Sequence, residues 1–270
     1  MHKLLFLEYK FRDFTDAELA APAATGVMAA YEKLNGERVE QIRRLNLQFG
    51  VSFMAVDKNI CPLSDEAERF CLKKLEKIVK LTPDVVWFDY LMFPGKWNVQ
   101  SRGRWDIDVH KPCRYCKGKD RKKEILTKAK FYLLKIPKNI KSGYFSMPYR
   151  EGRFDNWEER LGQDTKGLGA LFDYLSPMLY HRMMGESPVY ISEFVKYLHE
   201  MGVKARIIPT IQLKDMPDDL LDELKLTEIG AAIDNAIRPP SSGVAVFSWD
   251  QTIEKGKIKS VSEYLVKVKS

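Results

Sequence analysis

Eight short apolar runs, each separated from the next by a stretch of helical periodicity, constrain this chain more than any other feature. They fall at 3–9, 26–31, 50–56, 84–91, 142–148, 172–180, 204–211 and 243–249. Several are nearly continuous in Val, Ile, Leu and Phe rather than alternating with polar residues, which is how a strand reads when both of its faces are covered. Such strands run parallel, and parallel neighbours need a crossover between them. The intervening segments supply it. "SDEAERFCLKKLEKIVKL" opens on Ser64 as an N-cap, sets Asp65 and Glu66 at the positive helix end, and puts Cys71, Leu75, Ile78 and Val79 on one face. "SPVYISEFVKYLHEMG" has Ser187 as cap, Pro188 in the first turn, a stripe of Ile191, Phe194, Val195 and Leu198, and Gly202 as its stop. "GERVEQIRRLNLQFG" places Val39, Ile42, Leu45 and Phe49 on one side and stops at Gly50. Between the first two runs, "TDAELAAPAA" carries Pro22 and has room for one or two turns only. Residues 260–268 form a short closing helix.

Strand then helix, about eight times within 270 residues, predicts a (β/α)8 TIM barrel occupying 1–270 as a single domain. A long irregular loop, 94–120, follows the fourth strand. An open doubly wound sheet is the alternative. An apolar fraction of 45% is enough for one large core, and 30% charged residues match a soluble globular chain. No apolar run approaches the ~18 residues of a membrane span, so no membrane partner is expected. The opening "MHKLLFLEYK" has only a short apolar core before Glu8, too short for a signal peptide. A cytoplasmic chain is expected, or a secreted one from which a signal was removed. The net charge of +7 is spread along the chain. Its densest cluster, "CKGKDRKKE" at 116–124, reads as a solvated loop and helix start, and no recognition motif accompanies it, so no nucleic-acid partner is expected.

In a parallel barrel the chemistry sits where the strands end. Those ends offer Glu8, Tyr9 and Lys10; Tyr31 and Glu32; Asp57 and Lys58; Asp89 and Tyr90; Tyr149 and Arg150; Tyr180 and His181; Gln212; and Ser248, Trp249 and Asp250. Five carboxylates and several aromatics on one rim suit a sugar, whose ring faces stack, whose hydroxyls need acceptors and whose acetal needs acid and base. Strand residues alternate, so Asp89 shares a face with Val85 and Trp87. If that face points into the barrel, Asp89 is the topmost inward residue of its strand. Glu8 shares a face with Leu4 and Phe6, and Asp57 with Phe53 and Ala55. Asp89, Glu8 and Asp57 are therefore the catalytic candidates, with Glu32 beside them; each also reads simply as a solvated strand-end charge. Tyr90, Lys96, Trp97, Tyr149, Tyr180, His181, Gln212 and Trp249 are the substrate-binding candidates. Trp249 and Phe247 share a face, for which stacking on a sugar and packing in the core are equal readings. Trp97 and Trp105 lie in the long loop and read as a subsite wall. Asp84 and Asp173 lie at strand starts and read as structural.

Three segments resemble a group of barrel glycoside hydrolases, distantly chitinase-like. "DVVWFDYLMFP" at 84–94 is similar to a fourth strand ending Phe-Asp-Tyr-x-x-Phe-Pro, and "DYLSPMLYHRM" at 173–183 to the sixth strand. "GVAVFSWD" at 243–250 looks like the eighth strand of this group and of the chitinase-like family. The resemblance implies a hydrolase acting on an oligo- or polysaccharide with no cofactor required. It carries Asp89 over as catalytic and Met178 and Tyr180 as site-lining. Two departures stand out. The chitinase-like motif has an acid, Glu, two residues past the matching Asp, where this chain has Leu91. It has Asp or Asn after the sixth-strand Tyr, where this chain has His181. A carbohydrate-binding barrel without catalysis is the alternative that Leu91 motivates. A barrel enzyme acting on another small metabolite is the third reading, although no Gly-rich phosphate loop follows the seventh or eighth strand.

The four cysteines complete the reading. Cys71 belongs to a helix stripe and reads as core. "HKPCRYCKGK" holds Cys113 and Cys116 at metal-ligand spacing, with His110 three residues before, and Cys61 on the same rim offers a fourth ligand. A structural zinc, a disulfide between Cys113 and Cys116, and two free thiols are the three readings of that pair.

Overall fold

The computed structural model describes residues 1–10, 12–101, 103–148, 150, 156–213 and 224–268, with the backbone alone for 97–101 and 104–106. Its sheet closes into a ring. Strands β1 (His2–Leu7), β2 (Gly26–Ala30), β3 (Gln48–Met54) and β4 (Val85–Asp89) pair in sequence. They are followed by β7 (Lys141–Ser146) and β8 (Tyr174–Leu179), after a hairpin of β5 (Gly95–Ser101) and β6 (Arg104–Val109) that stands outside the ring. The seventh barrel strand comes in two pieces, β9 (Arg206–Ile207) and β10 (Thr210–Gln212), and β11 (Gly243–Phe247) returns to β1. β8 pairs with both pieces at one register, Tyr174 with Arg206 and Met178 with Thr210, so β9 and β10 are one strand interrupted around Pro209, which has no N–H to give. Every pairing in the ring is parallel, and this is the (β/α)8 barrel rather than the open sheet.

The helices follow their local signals. In α3 (Asp65–Lys80) the Ser64 side chain accepts from the Ala67 N–H, and Cys71, Leu75 and Ile78 are buried. α1 (Asp16–Ala20) is short and held by a capping box between Thr15 and Glu18. α7 (Val189–Glu200) buries Ile191, Phe194, Val195 and Leu198 and ends before Gly202 at φ +80°, but Ser187 does not cap it: Pro188 is the N-cap and no side-chain hydrogen bond closes that end. The helix read over 36–50 stops earlier: α2 spans Gly36–Arg44, Asn46 turns left-handed at φ +53°, and Phe49 belongs to β3. Apolar spacing alone could not separate the last turn of the helix from the first residues of a buried strand. α4 (Arg121–Leu133), α5 (Trp157–Leu161), α6 (Thr165–Gly169), α8 (Leu226–Ala236), α9 (Trp249–Glu254) and α10 (Ile258–Lys267) complete the shell.

Strand alternation divides the core in two. Leu4, Met28, Val85, Trp87, Phe145, Tyr174, Ile208 and Ala245 fill the inside of the barrel. Leu5, Val27, Val51, Phe53, Val86, Phe88 and Leu175 face outward and pack beneath the helices. Trp87 is the plug of the interior, 5.5 Å from the Phe145 ring and stacked on Tyr174 at 5.7 Å. Its bulk excludes a side chain at Gly143, where a Cβ would lie 2.4 Å from the indole, and joins the Val27 carbonyl in excluding one at Gly50, where a Cβ would lie 2.6 Å from that oxygen and 2.9 Å from the indole Nε1. At the opposite rim, Asp84 accepts the Phe49 N–H at 2.7 Å and Asp173 the Ser142 N–H at 2.9 Å. Each starts the neighbouring strand, which is the structural role their positions suggested.

Candidate active site

Above Trp87 the inward faces continue to the C-terminal rim. Leu4 and Phe6 lead to Glu8, and Val85 and Trp87 lead to Asp89. Phe6, Phe145 and Phe247 form an aromatic floor, with ring centroids 5.9 Å apart for Phe6 and Phe145 and 5.1 Å for Phe6 and Phe247. Tyr180 stacks on Phe247 at 5.5 Å with the planes 26° apart. Burial raises the Tyr180 hydroxyl well above its ordinary pKa, and the charges of Asp89, then Glu8, then Tyr90 raise it further. These four groups therefore share one electrostatic neighbourhood. Met178, one inward step below Tyr180, packs partly buried against both the barrel interior and the rim cluster of Met92, Ile107, Met147, Trp157 and Leu161, against which Tyr90 also packs.

Asp89 is held tightly. Its backbone carbonyl accepts the Ala55 N–H at 2.7 Å, and its Oδ1 accepts the Tyr90 N–H at 2.8 Å. Tyr90 itself is left-handed at φ +52°, a conformation that a bulky L-residue adopts only when its surroundings impose it. Burial pushes the Asp89 carboxyl up from 3.8 to about 6, against the Tyr90 N–H and with a smaller contribution from Glu32. Glu32 is exposed and paired with Lys74 at 2.6 Å.

β1 ends the same way. Tyr9 follows Glu8 at φ +47°, buried edge-on to Phe14 with the Arg38 guanidinium over its ring. Asp250 fixes this bend: its Oδ2 accepts the Glu8 N–H at 2.7 Å and its Oδ1 the Lys10 N–H at 3.1 Å. Only 1% of Asp250 is exposed, so this is a buried clamp on the main chain and not a free rim acid. Sequence offers it only as one more strand-end carboxylate, because its partners lie about 240 residues away.

Several candidates go elsewhere. Asp57 follows the outward parity of Phe53 and Ala55, which pack under the helices, and its Oδ1 accepts the Asn59 N–H at 2.9 Å in a turn. His181 is fully buried behind Tyr180, with Nε2 2.8 Å from Glu228 at the start of α8. Trp249 does not continue the face of Phe247. β11 ends at Phe247, Trp249 opens α9, and its fully buried indole donates to the Glu18 carbonyl at 3.1 Å. It is core, while Phe247 reaches the site. Gln212 keeps inward parity, is fully buried and pairs in register with Phe247. Lys96 is exposed on β5, opposite Asp108. Trp97 sits on β5 in register with Ile107, its side chain outside the described residues, as is that of Trp105; Tyr149 lies outside them altogether.

The long insertion is not irregular. β5 and β6 pair antiparallel, and the Gly103 N–H at the hairpin tip donates to the Met183 carbonyl at 3.1 Å, beyond β8. Ile107 packs with Met92, Met147, Trp157 and Leu161. The hairpin thus runs along the rim from the end of β4 to the loop after β8, on the Asp89 side. At its base, the His110 N–H donates to the Pro94 carbonyl at 2.8 Å and Arg121 donates to the His110 carbonyl at 2.8 Å. The ligand atoms of Cys61, His110, Cys113 and Cys116 converge there, all within 4.8 Å of one another.

No protein-family model and no curated protein matches the sequence. Solved structures are similar in fold along the whole chain. The spore cortex-lytic enzyme SleL of Bacillus cereus superposes with a TM-score of 0.63 at 9% identity, over 100% of this chain and 74% of that one. A chitinase from Bacteroides thetaiotaomicron gives 0.62 at 13% identity, over 98% of this chain and 96% of that one. A GH18 chitinase from Pseudoalteromonas aurantia gives 0.60 at 11% identity, over 98% and 100%. At this identity the likeness is one of architecture: the chain shares the closed parallel barrel of these proteins.

Proposed function

We propose that this barrel hydrolyses a glycosidic bond in an oligo- or polysaccharide, with Asp89 as the proton-transferring carboxylate and Glu8 as its partner. The observation that carries the reading is Asp89 itself. It is the topmost inward residue of β4 and is raised to about 6 by burial, and it shares the Tyr180 hydroxyl's neighbourhood with Glu8. A carboxyl that keeps its proton into the working pH range is what a leaving glycosidic oxygen requires. Tyr180, Phe247 and Phe6 offer flat apolar surface to a sugar ring, and Tyr90 offers a hydrogen bond to its hydroxyls. The solved structures similar in fold include a Cycas revoluta chitinase in complex with (GlcNAc)3, which supports a sugar polymer as the ligand class. The acid of the chitinase-like motif has no counterpart here, since Leu91 is fully buried in the outer core. The proton must come from another carboxylate, and Asp89 is a rim carboxylate that burial raises to about 6.

The test is release of reducing ends from a panel of soluble and insoluble glycans by wild type, Asp89→Asn and Glu8→Gln. Loss of more than about a hundredfold in Asp89→Asn, with the fold intact by circular dichroism, is expected. Activity retained within about tenfold would remove Asp89 from the mechanism. As a general acid, Asp89 also imposes a fall in rate as pH rises through about 6. The buried Leu91 favours one second reading, a barrel that binds carbohydrate without cleaving it. Binding on a glycan array with no turnover of any bound glycan would select it.

A further inference from the structure

We infer that Cys61, His110, Cys113 and Cys116 form a structural zinc site that fastens the hairpin insertion to the loop after β3. The four residues come from two places. Cys61 lies in the β3–α3 connection; His110 immediately follows β6, and Cys113 and Cys116 lie in the turn before α4. Local structure shapes each contribution. The Cys116 and Lys117 N–H groups both donate to the Cys113 carbonyl, at 3.1 and 2.9 Å, and this tight turn brings the two sulfurs together. The Cys113 N–H donates to the Cys116 Sγ at 3.3 Å, which fixes that sulfur inside the turn. On the other side, Ser64 holds the Cys61 turn through the Cys61 carbonyl at 2.9 Å while also capping α3.

The distances select among the three readings of the pair. The Cys113 and Cys116 sulfurs are 3.7 Å apart, far beyond the ~2.05 Å of a disulfide. Two sulfurs bound to one tetrahedral zinc at about 2.3 Å are about 3.8 Å apart. A spread of at most 4.8 Å over all four ligand atoms is a mononuclear cage that small side-chain rotations close. His110 Nε2 is shielded from solvent and has no hydrogen-bond partner among the described residues. A buried nitrogen of that kind asks for an explanation, and a metal ligand is one. Three thiolates and one imidazole fill all four positions, so the site is closed: it holds structure and leaves no position for substrate. The complex carries one net negative charge, and Lys111, Arg114, Lys117 and Lys119 flank the ligands in sequence.

The consequence lies at the rim. A two-stranded hairpin is marginal by itself, and an insertion of this length loses much conformational freedom when ordered. Zinc ties its base to the loop after β3, the strand that pairs with β4 and sets Met54 opposite Asp89. The experiment is elemental analysis of untagged protein purified without chelators, together with titration of its thiols and replacement of the metal by Co2+. About one zinc per chain is expected. Sulfur-to-cobalt charge transfer and tetrahedral visible bands should follow exchange, and the thiols should stay unreactive until a chelator is added. The variants Cys113→Ser and Cys61→Ser should each lose the metal by at least tenfold and become more sensitive to proteolysis within 94–120. Should either variant fail to fold, the wild-type cobalt spectrum decides by itself. Zinc well below one per chain with freely reactive thiols, an octahedral cobalt spectrum, or full metal retention in a folded Cys61→Ser variant would overturn the site.

Discussion

Asp89→Asn should make the protein more stable at neutral pH while removing its activity. The carboxyl has an ordinary pKa of 3.8 and is raised to about 6 in the folded chain. As pH rises, the unfolded state releases this proton first, so between about 4 and 6 the native state holds a proton that the unfolded state does not. Stability then falls with pH, by the linkage relation, and the loss is complete above about 6. A shift of about two units corresponds to about 3 kcal/mol at pH 8, an order-of-magnitude figure. Asn has the same shape and still accepts the Tyr90 N–H that Asp89 accepts at 2.8 Å, so little else changes. Urea denaturation of wild type and variant, run from pH 4.5 to 8, checks this. The two curves should approach one another at the acid end, and the variant should lead by about 2–3 kcal/mol at pH 8, or roughly 5 °C in Tm for a chain of this size. Parallel pH dependence in the two proteins, with no widening gap, would refute the burial argument and with it the assignment of Asp89 as the proton donor.

Two further outcomes follow from the same geometry. Gly143→Ala puts a Cβ 2.4 Å from the Trp87 ring and should cost about 1–3 kcal/mol; the cost should shrink when Trp87→Phe is also present, and strict additivity in that double-mutant cycle would show that the indole is not what excludes the side chain. Asp250→Ala removes the acceptor of the Glu8 and Lys10 N–H groups and should lower stability by about 1–3 kcal/mol and turnover by more than tenfold, with Asp250→Asn recovering part of both; wild-type kinetics in Asp250→Ala would mean that the β1 bend holds itself.

Much of this architecture was legible because it depends on local periods. Strand alternation is set by covalent geometry, so Val85, Trp87 and Asp89 share a face whatever surrounds them, and Glu8 follows Phe6 for the same reason. The cap at Ser64, the stop at Gly202 and the metal-ligand spacing of Cys113 and Cys116 are also properties of a few consecutive residues. Parity stops being informative where a strand stops. Asp57, His181 and Trp249 lie just past their strands; Asp57 is taken up by a local turn onto the Asn59 N–H, while His181 and Trp249 are placed by partners far along the chain, Glu228 and the Glu18 carbonyl. The hairpin within 94–120 and its reach to Met183 were hidden as well, because a two-stranded ribbon gains its stability from what it packs on. What only the tertiary structure decided is convergence: Asp89 and Glu8 around Tyr180, Asp250 on the end of β1, and Cys61 brought to His110. Ring closure places residues that are far apart in sequence within bonding distance, and no pattern with a period of two or 3.6 residues carries that information.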